Sequence, residues 1–345
     1  MKPEVSPRLG NVPMVAALTL IVFLVGVVLR MAKPVLFPFM LAVMVSFILA
    51  PVLDLSTRLR VPRALSVLLL LLMTFVVLYF LGALIFESGK SFAAEFPKYG
   101  DRLRSELTIL ARKLHLAGIR GDPLNFLGRL DINRLGSLIV SSIGPFFNFL
   151  TNLFLVLIFL IFILAGKGRA EAKIAKAFSP AQAARIRRVI VKINSEIQRY
   201  LAIKTISNLV QGIAAGIVLW AFGVNFALLF GFLVFVLNYI PTIGSIIATG
   251  LPMLFAAFQF PTLWPALWIG VLMTVLQNIM GNFVEPKLFG RGLGLSPLVV
   301  LFALFFWGWL WGIPGMVLAV PIVAILRIVC ENVPGLKFLA VLMGS

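Results

Sequence analysis

"TISNLVQGIAAGIVLWAFGVNFALLFGFLVFVLNYIPTIGSIIATGLPMLFAAFQFPTLWPALWIGVLMTVLQNIMGNFV", residues 205–284, contains no Lys, Arg, Asp, Glu or His. A helix needs roughly 20 apolar residues to cross the hydrocarbon core of a bilayer, so this run holds about four crossings. Gly223, Pro241 and Pro261 divide it. Four further runs, 13–29, 34–53, 64–86 and 137–166, are also free of charge. Of the 345 residues 61% are hydrophobic and 12% charged, whereas a soluble domain carries about a quarter charged residues. Mean hydropathy is +1.09. These numbers predict an all-α polytopic integral membrane protein with about eight hydrophobic elements. The first run reads as a retained helix: no small-x-small cleavage site follows it, and the next run starts at Pro34.

The net charge of +18 sits in short loops beside the apolar runs, the positive-inside pattern of membrane proteins. No zinc-finger spacing or RNA-binding signature accompanies it, so no nucleic-acid partner is expected. "STRLRVPR", residues 56–63, carries three arginines between the second and third spans, which places that turn and the N-terminus in the cytoplasm. Residues 1–86 then hold three spans. Residues 87–136 form a polar extracytoplasmic segment, with Leu103, Leu107, Leu110 and Leu114 at helical spacing. Residues 137–165 form a fourth span. Residues 166–204 carry ten basic and two acidic residues and read as a cytoplasmic amphipathic arm. Ser179, Pro180 and Gln182 give its main helix a capping box. Its stripe of Ile186, Val189, Ile190, Ile193, Ile197 and Leu201 faces either the inner leaflet or the protein's own spans. Residues 205–331 form the transport core, and 332–345 a cytoplasmic tail.

Two interruptions mark that core. "NYIPTIG", residues 238–244, and "WGIPG", residues 311–315, put Pro and Gly inside apolar sequence. Such breaks survive at membrane depth only against protein or water, because lipid offers backbone groups no hydrogen-bond partner. Residues 224–258 and 296–326 are each long for one span and suit a broken or re-entrant helical hairpin. By span count they enter from opposite sides, the pattern of secondary transporters built from inverted repeats with a solute between them.

Enzyme chemistry has little to work with here. No phosphate-binding loop of the Gly-Lys-Ser/Thr type is present, nor H-E-x-x-H nor G-x-S-x-G. One His and one Cys support neither a metal cluster nor an intrachain disulfide, and no cofactor is expected. What remains are polar residues within apolar helices. Asn148 and Asn152 share a face, Asn208 and Gln211 open the fifth span, and Gln277, Asn278, Asn282 and Glu285 cluster at the end of the uncharged run. Asn278, Asn282 and Glu285 are spaced to line one helix face. Amides in lipid glue helices together; a convergent set beside two breaks also suits a cavity for a neutral polyol-like solute. Gly212 and Gly216 form a small-xxx-small pair for close helix packing. Glu285 has three readings: an ion pair with Lys287 or Arg291, a cap on the next helix, or a proton or sodium carrier.

"YLAIKTISNLVQG", "NYIPTIGS" and "GNFVEPKLFGRGLGLSPLVVLFALFFWGWLWGIPGMVLAVPI" resemble the autoinducer-2 exporter family of bacterial membrane proteins. The resemblance covers the whole chain and is densest over about 195–331; its most specific part is E-P-x-L-x-G-x-x-x-x-L-S-P-L, Glu285 to Leu298. It implies an inner-membrane secondary transporter, homo-oligomers of five chains, and small polar solutes such as autoinducer-2. By motif position it singles out Asn238, Pro241, Gly244, Asn282, Glu285, Pro286, Gly290 and Gly315.

The expectation is therefore export of autoinducer-2 or a similar solute, with membrane lipid as surroundings and H⁺ or Na⁺ as a candidate coupling ion. Asn238, Pro241, Gly244, Gln277, Asn278, Asn282, Glu285, Gly290 and Gly315 form the expected pathway or gate. A Na⁺(Li⁺)/H⁺ antiporter using Glu285 and a non-transporting membrane scaffold are the alternatives.

Overall fold

The structure, a computed structural model, describes residues 12–116, 145–166, 169–289 and 293–344. The described residues are helical almost throughout: α1 (Val12–Met31), α2 (Lys33–Arg58), α3 (Arg63–Leu116), α4 (Pro145–Gly166), α5 (Arg169–Ala177), α6 (Pro180–Ala221), α7 (Ala227–Leu237), α8 (Ile243–Gln259), α9 (Trp264–Asn278), α10 (Glu285–Phe289), α11 (Pro297–Trp311), α12 (Ile313–Asn332) and α13 (Lys337–Met343). A π-helical turn, Ile279–Val284, joins α9 to α10. Among the described residues, five helical stretches are long and apolar enough to cross a bilayer, and four shorter apolar helices accompany them. The protein is an all-α, multi-pass membrane protein.

Two helices exceed what the charge pattern suggests. α3 runs unbroken through 54 residues, about 80 Å at 1.5 Å per residue. Its second half must project beyond a hydrocarbon core of about 30 Å. The polar segment after residue 86 thus begins as a continuation of the third span, and its remainder, 117–136, lies outside the described residues. α6 is a single helix of 42 residues, so the boundary expected between arm and core at 204/205 falls inside a continuous element. Backbone hydrogen bonding does not register the loss of charge at residue 205. The capping box forms at the start of α6: Ser179 N donates to Gln182 Oε1 at 3.3 Å, and Ser179 Oγ accepts from Gln182 N at 3.4 Å. Ile193, Ile197 and Leu201 of the apolar stripe pack against Leu318 and Ile322 of α12. Lys192 Nζ pairs with Glu331 at 2.6 Å. The arm is thereby joined to the protein's own helices.

Among the described residues, four clusters of buried side chains hold the bundle. α2, α3 and α4 meet through Ala42, Leu53, Leu70, Val156 and Leu160. α6, α7, α8 and α9 meet through Leu219, Val234, Phe255, Ile269 and Met273. α2, α6, α11 and α12 meet through Met44, Leu201, Trp311 and Leu318. Ile240, in the turn after α7, packs with Leu304, Ala319 and Val323 of α11 and α12. Many large apolar side chains, Leu68, Phe80, Phe162, Trp220 and Phe302 among them, are exposed, as helices facing lipid require. Tight packing therefore has to supply helix association, and small residues provide it. A Cβ on Gly212 would lie 2.8 Å from the Gly231 carbonyl oxygen, and one on Gly231 only 3.1 Å from Gly216 Cα. The expected small-residue pair is the seam between α6 and α7.

Both expected breaks are present, and each folds two helices into a hairpin. α7 turns into α8 across 238–242; α11 turns into α12 at Gly312. Gly312 has φ 76° and ψ −152°, a region open to glycine alone. At the first tip a β-branched residue, Thr242, holds φ 60° and ψ −61°, a strained backbone costing about 1–3 kcal/mol. In each hairpin a glycine in the first turn of the second helix meets a carbonyl of the first. Gly244 abuts Leu237 O, and Gly315 abuts Trp307 O. A Cβ at either position would overlap that oxygen.

Candidate functional site

The first hairpin's tip, the middle of α6 and the α9–π–α10 helix surround a cavity of about 510 Å³. Its wall includes Gln211, Asn238, Pro241, Thr242 and Ser245 from one side and Gln277, Asn278, Gly281, Asn282 and Glu285 from the other. The second hairpin contributes Val300 and Val320. Tyr200 and Phe289 stack with ring centroids 5.5 Å apart and also line the space. Five carboxamides thus converge from three elements.

Asn238 is the centre of an amide relay. Its Nδ2 donates to Gln211 Oε1 of α6, and its Oδ1 accepts from Gln277 Nε2 of α9 at 3.1 Å. The helix ends here because Pro241 follows, and that ending places the Asn238 side chain between two helices. Next to it, the Tyr239 and Thr205 hydroxyls lie 2.7 Å apart. On the α9 side Asn282 Nδ2 donates to Asn278 Oδ1 at 3.0 Å, and Asn278 Nδ2 donates to Thr274 O at 2.8 Å. Asn238 and Gln211 are buried, whereas Asn278 and Asn282 are exposed. Asn208 lies on the same face of α6 as Lys204 and Gln211 and is 0% exposed, and neither its amide oxygen nor its amide nitrogen has a partner. The neighbouring Ser207 Oγ is also buried and unpaired.

The relay gives a stability prediction. Asn238→Leu leaves the buried Gln211 amide without its donor, and each unsatisfied group costs about 1–3 kcal/mol. Asn282→Leu breaks one exposed bond, for which about 0.5 kcal/mol or less is expected. Thermal unfolding in detergent should therefore fall for the first variant and stay near wild type for the second.

Glu285 does not pair as its sequence neighbours suggest. Its Oε1 lies 2.6 Å from Nζ of Lys204, on α6, with side chains 15% and 11% exposed. Lys287 is exposed and makes no ion pair among the described residues, while Arg291, like Gly290, lies outside them. Nor does Glu285 cap a new helix, because α9, the π turn and α10 form one continuous rod, Trp264–Phe289. The wider π turn adds a residue to the rod's winding and still leaves Asn278, Asn282 and Glu285 on the cavity wall.

Of the other expected residues, Asn238, Pro241, Gln277, Asn278, Asn282 and Glu285 all meet at this cavity. Gly244 and Gly315 do not line it; they are the close-approach points of the hairpins. Asn152, on α4, is also not part of its wall, and the Asn148 side chain lies outside the described residues. The sequence reading missed Lys204, Tyr200 and Thr242. Lys204 ends a basic run that reads as solvated, and Thr242 carries no pattern that signals a positive φ.

A family model described as "AI-2E family transporter" matches residues 17–335. The chain belongs to the AI-2E transporter family. Within it, the Escherichia coli K12 protein named AI-2 transport protein TqsA is 32% identical over 328 residues, covering 94% of this chain and 93% of that one. A Haemophilus influenzae Rd protein with a provisional transport-protein name is 33% identical over 341 residues, with 94% of each covered. A similarly named Borreliella burgdorferi B31 protein is 29% identical over 317 residues, 92% of this chain and 86% of its own. For an AI-2E family transporter, a polar cavity between a broken hairpin and two long helices is a chemically suitable place for a solute. Among the described residues, no three His, Cys, Asp or Glu side chains come together as a metal site would require.

Proposed function

We propose that this AI-2E family member is a secondary transporter of the bacterial inner membrane that exports autoinducer-2 or a similar small polar solute. The observation that carries the reading is the cavity of about 510 Å³ walled by five carboxamides and one neutralised ion pair. Carboxamides offer both donor and acceptor, which suits hydroxyl-rich neutral solutes. The internal Lys204–Glu285 pair leaves the wall without net charge, which disfavours a free ion as the principal cargo. The TqsA relative's name supports the choice of autoinducer-2. The two broken hairpins form the moving gate, with N- and C-termini in the cytoplasm, in a homo-oligomer of five chains as the family resemblance implies.

Expression of this chain in a signal-producing strain lacking its own exporter should lower intracellular autoinducer-2 and raise the extracellular level. Asn282→Leu should remove most of that effect while leaving the amount of folded protein unchanged. A non-transporting scaffold would tolerate the substitution. A Na⁺(Li⁺)/H⁺ antiporter is the second reading, favoured by the presence of a carboxylate, Glu285, in the cavity wall. It requires pH-dependent Na⁺ flux that Glu285→Gln abolishes.

A further inference from the structure

We propose that Ser207 and Asn208 of α6 form a second polar station on the solute pathway, sealed in this conformation and opened to water when the two hairpin bodies part. The proposal rests on the amide-walled cavity being a solute site and adds where a hydroxyl-bearing neutral solute goes next. Lys204, Ser207, Asn208 and Gln211 share the buried face of α6. Lys204 and Gln211 line the cavity, whereas Ser207 and Asn208, between them, do not. Ser207 is 1% and Asn208 0% exposed, and neither Ser207 Oγ nor the Asn208 amide makes a hydrogen bond among the described residues. Apolar packing on the same face of α6 changes partners across this patch. On its N-terminal side, Ile197 and Leu201 belong to a cluster with α2, α11 and α12. On its C-terminal side, Ala215 and Leu219 belong to one with α7, α8 and α9. The polar patch is thus the joint between a body that contains the second hairpin and a body that contains the first. Ile240, at the first hairpin's tip, also packs on α11 and α12, a contact that has to slide as the joint opens. Burying unpaired donors and acceptors is costly, so closing the joint is disfavoured and hydration favours opening it. That brings two conformations close in free energy, as rocking of one body against another around a fixed site requires. An amide and a hydroxyl offer the donors and acceptors that a neutral polyol takes.

Cysteine accessibility tests the station without any solute. Cys330 is the chain's one cysteine, so Cys330→Ala is the background for Ser207→Cys, Asn208→Cys, the core control Ala215→Cys and the cavity control Asn282→Cys. Ser207→Cys exchanges one oxygen for sulfur, which keeps a foldable variant in the set. Each is reconstituted in proteoliposomes with a small charged methanethiosulfonate on both faces, a reagent that travels through water and reacts with the thiolate. An open conformation populated at about 0.1–10% predicts labelling at 207 and 208 about 10- to 1,000-fold slower than at Asn282→Cys, with Ala215→Cys unlabelled over the same time. Labelling of either site no faster than Ala215→Cys would overturn the proposal; a fixed internal water would satisfy the amide and give that result. Where the unlabelled Ser207→Cys variant exports autoinducer-2, the attached group should abolish export, and export undiminished by complete labelling would also overturn it. Absence of export from the wild type refutes the transport reading by itself, and the labelling still decides whether the joint opens.

Discussion

Gly244→Ala is expected to lose the folded protein almost entirely, and Gly315→Ala to follow it. Each glycine sits where the second helix of a hairpin crosses a carbonyl of the first, Leu237 O for Gly244 and Trp307 O for Gly315. The obstructing atom is backbone in both cases, so no rotamer change can relieve the overlap. Relief requires the hairpin to open. That would displace Asn238 from Gln211 at the first tip and the packing of Trp311 at the second. Overpacking a well-filled site costs about 1–3 kcal/mol and occasionally more, and a clash with backbone belongs at or above the top of that range. Gly250→Ala is the control, since a Cβ there meets nothing within 4 Å. Monodisperse protein recovered from membranes should be near wild type for the control and close to absent for the two hairpin variants. Normal recovery of Gly244→Ala would mean that the first break is not folded as described.

The second large effect concerns the internal ion pair. Lys204→Met strands Glu285 in a poorly solvated wall, where loss of one partner costs about 3–5 kcal/mol. Glu285→Gln strands Lys204 in the same way. The double variant removes both charges and should recover most of the loss, because a buried pair adds little net stability over neutral groups of similar size. A double-mutant cycle on thermal unfolding should then show a coupling of at least about 5 kcal/mol, above the range usual for directly contacting groups. Single losses below about 1 kcal/mol would match a solvated surface pair instead.

The membrane architecture was legible because it depends on local chemistry. Uncharged length marks spans, arginines mark turns, and Pro and Gly mark breaks. Among the described residues these appear as helices, turns and hairpin tips, while 137–144 of the expected fourth span lies outside them. Gly212 and Gly216 were legible as a packing seam for the same reason. The site was legible only in part. Asn278, Asn282 and Glu285 announce a face by spacing alone, although a π turn, Ile279–Val284, holds Asn282 and separates the other two. The relay through Gln211, Asn238 and Gln277 joins three elements, and nothing local in the sequence encodes it. Lys204 was hidden twice over. It closes a run of ten basic residues that reads as solvated, and its partner lies 81 positions away. The continuity of α6 was hidden as well, because a change in composition resembles a boundary that the backbone ignores.

Uptake of labelled autoinducer-2 into proteoliposomes is the most direct test of the central claim, that a small polar solute crosses through the amide-walled cavity. The account predicts saturable uptake above protein-free liposomes, lost in Asn282→Leu vesicles of equal protein content. Uptake indistinguishable from protein-free liposomes, or undiminished by Asn282→Leu, would contradict it.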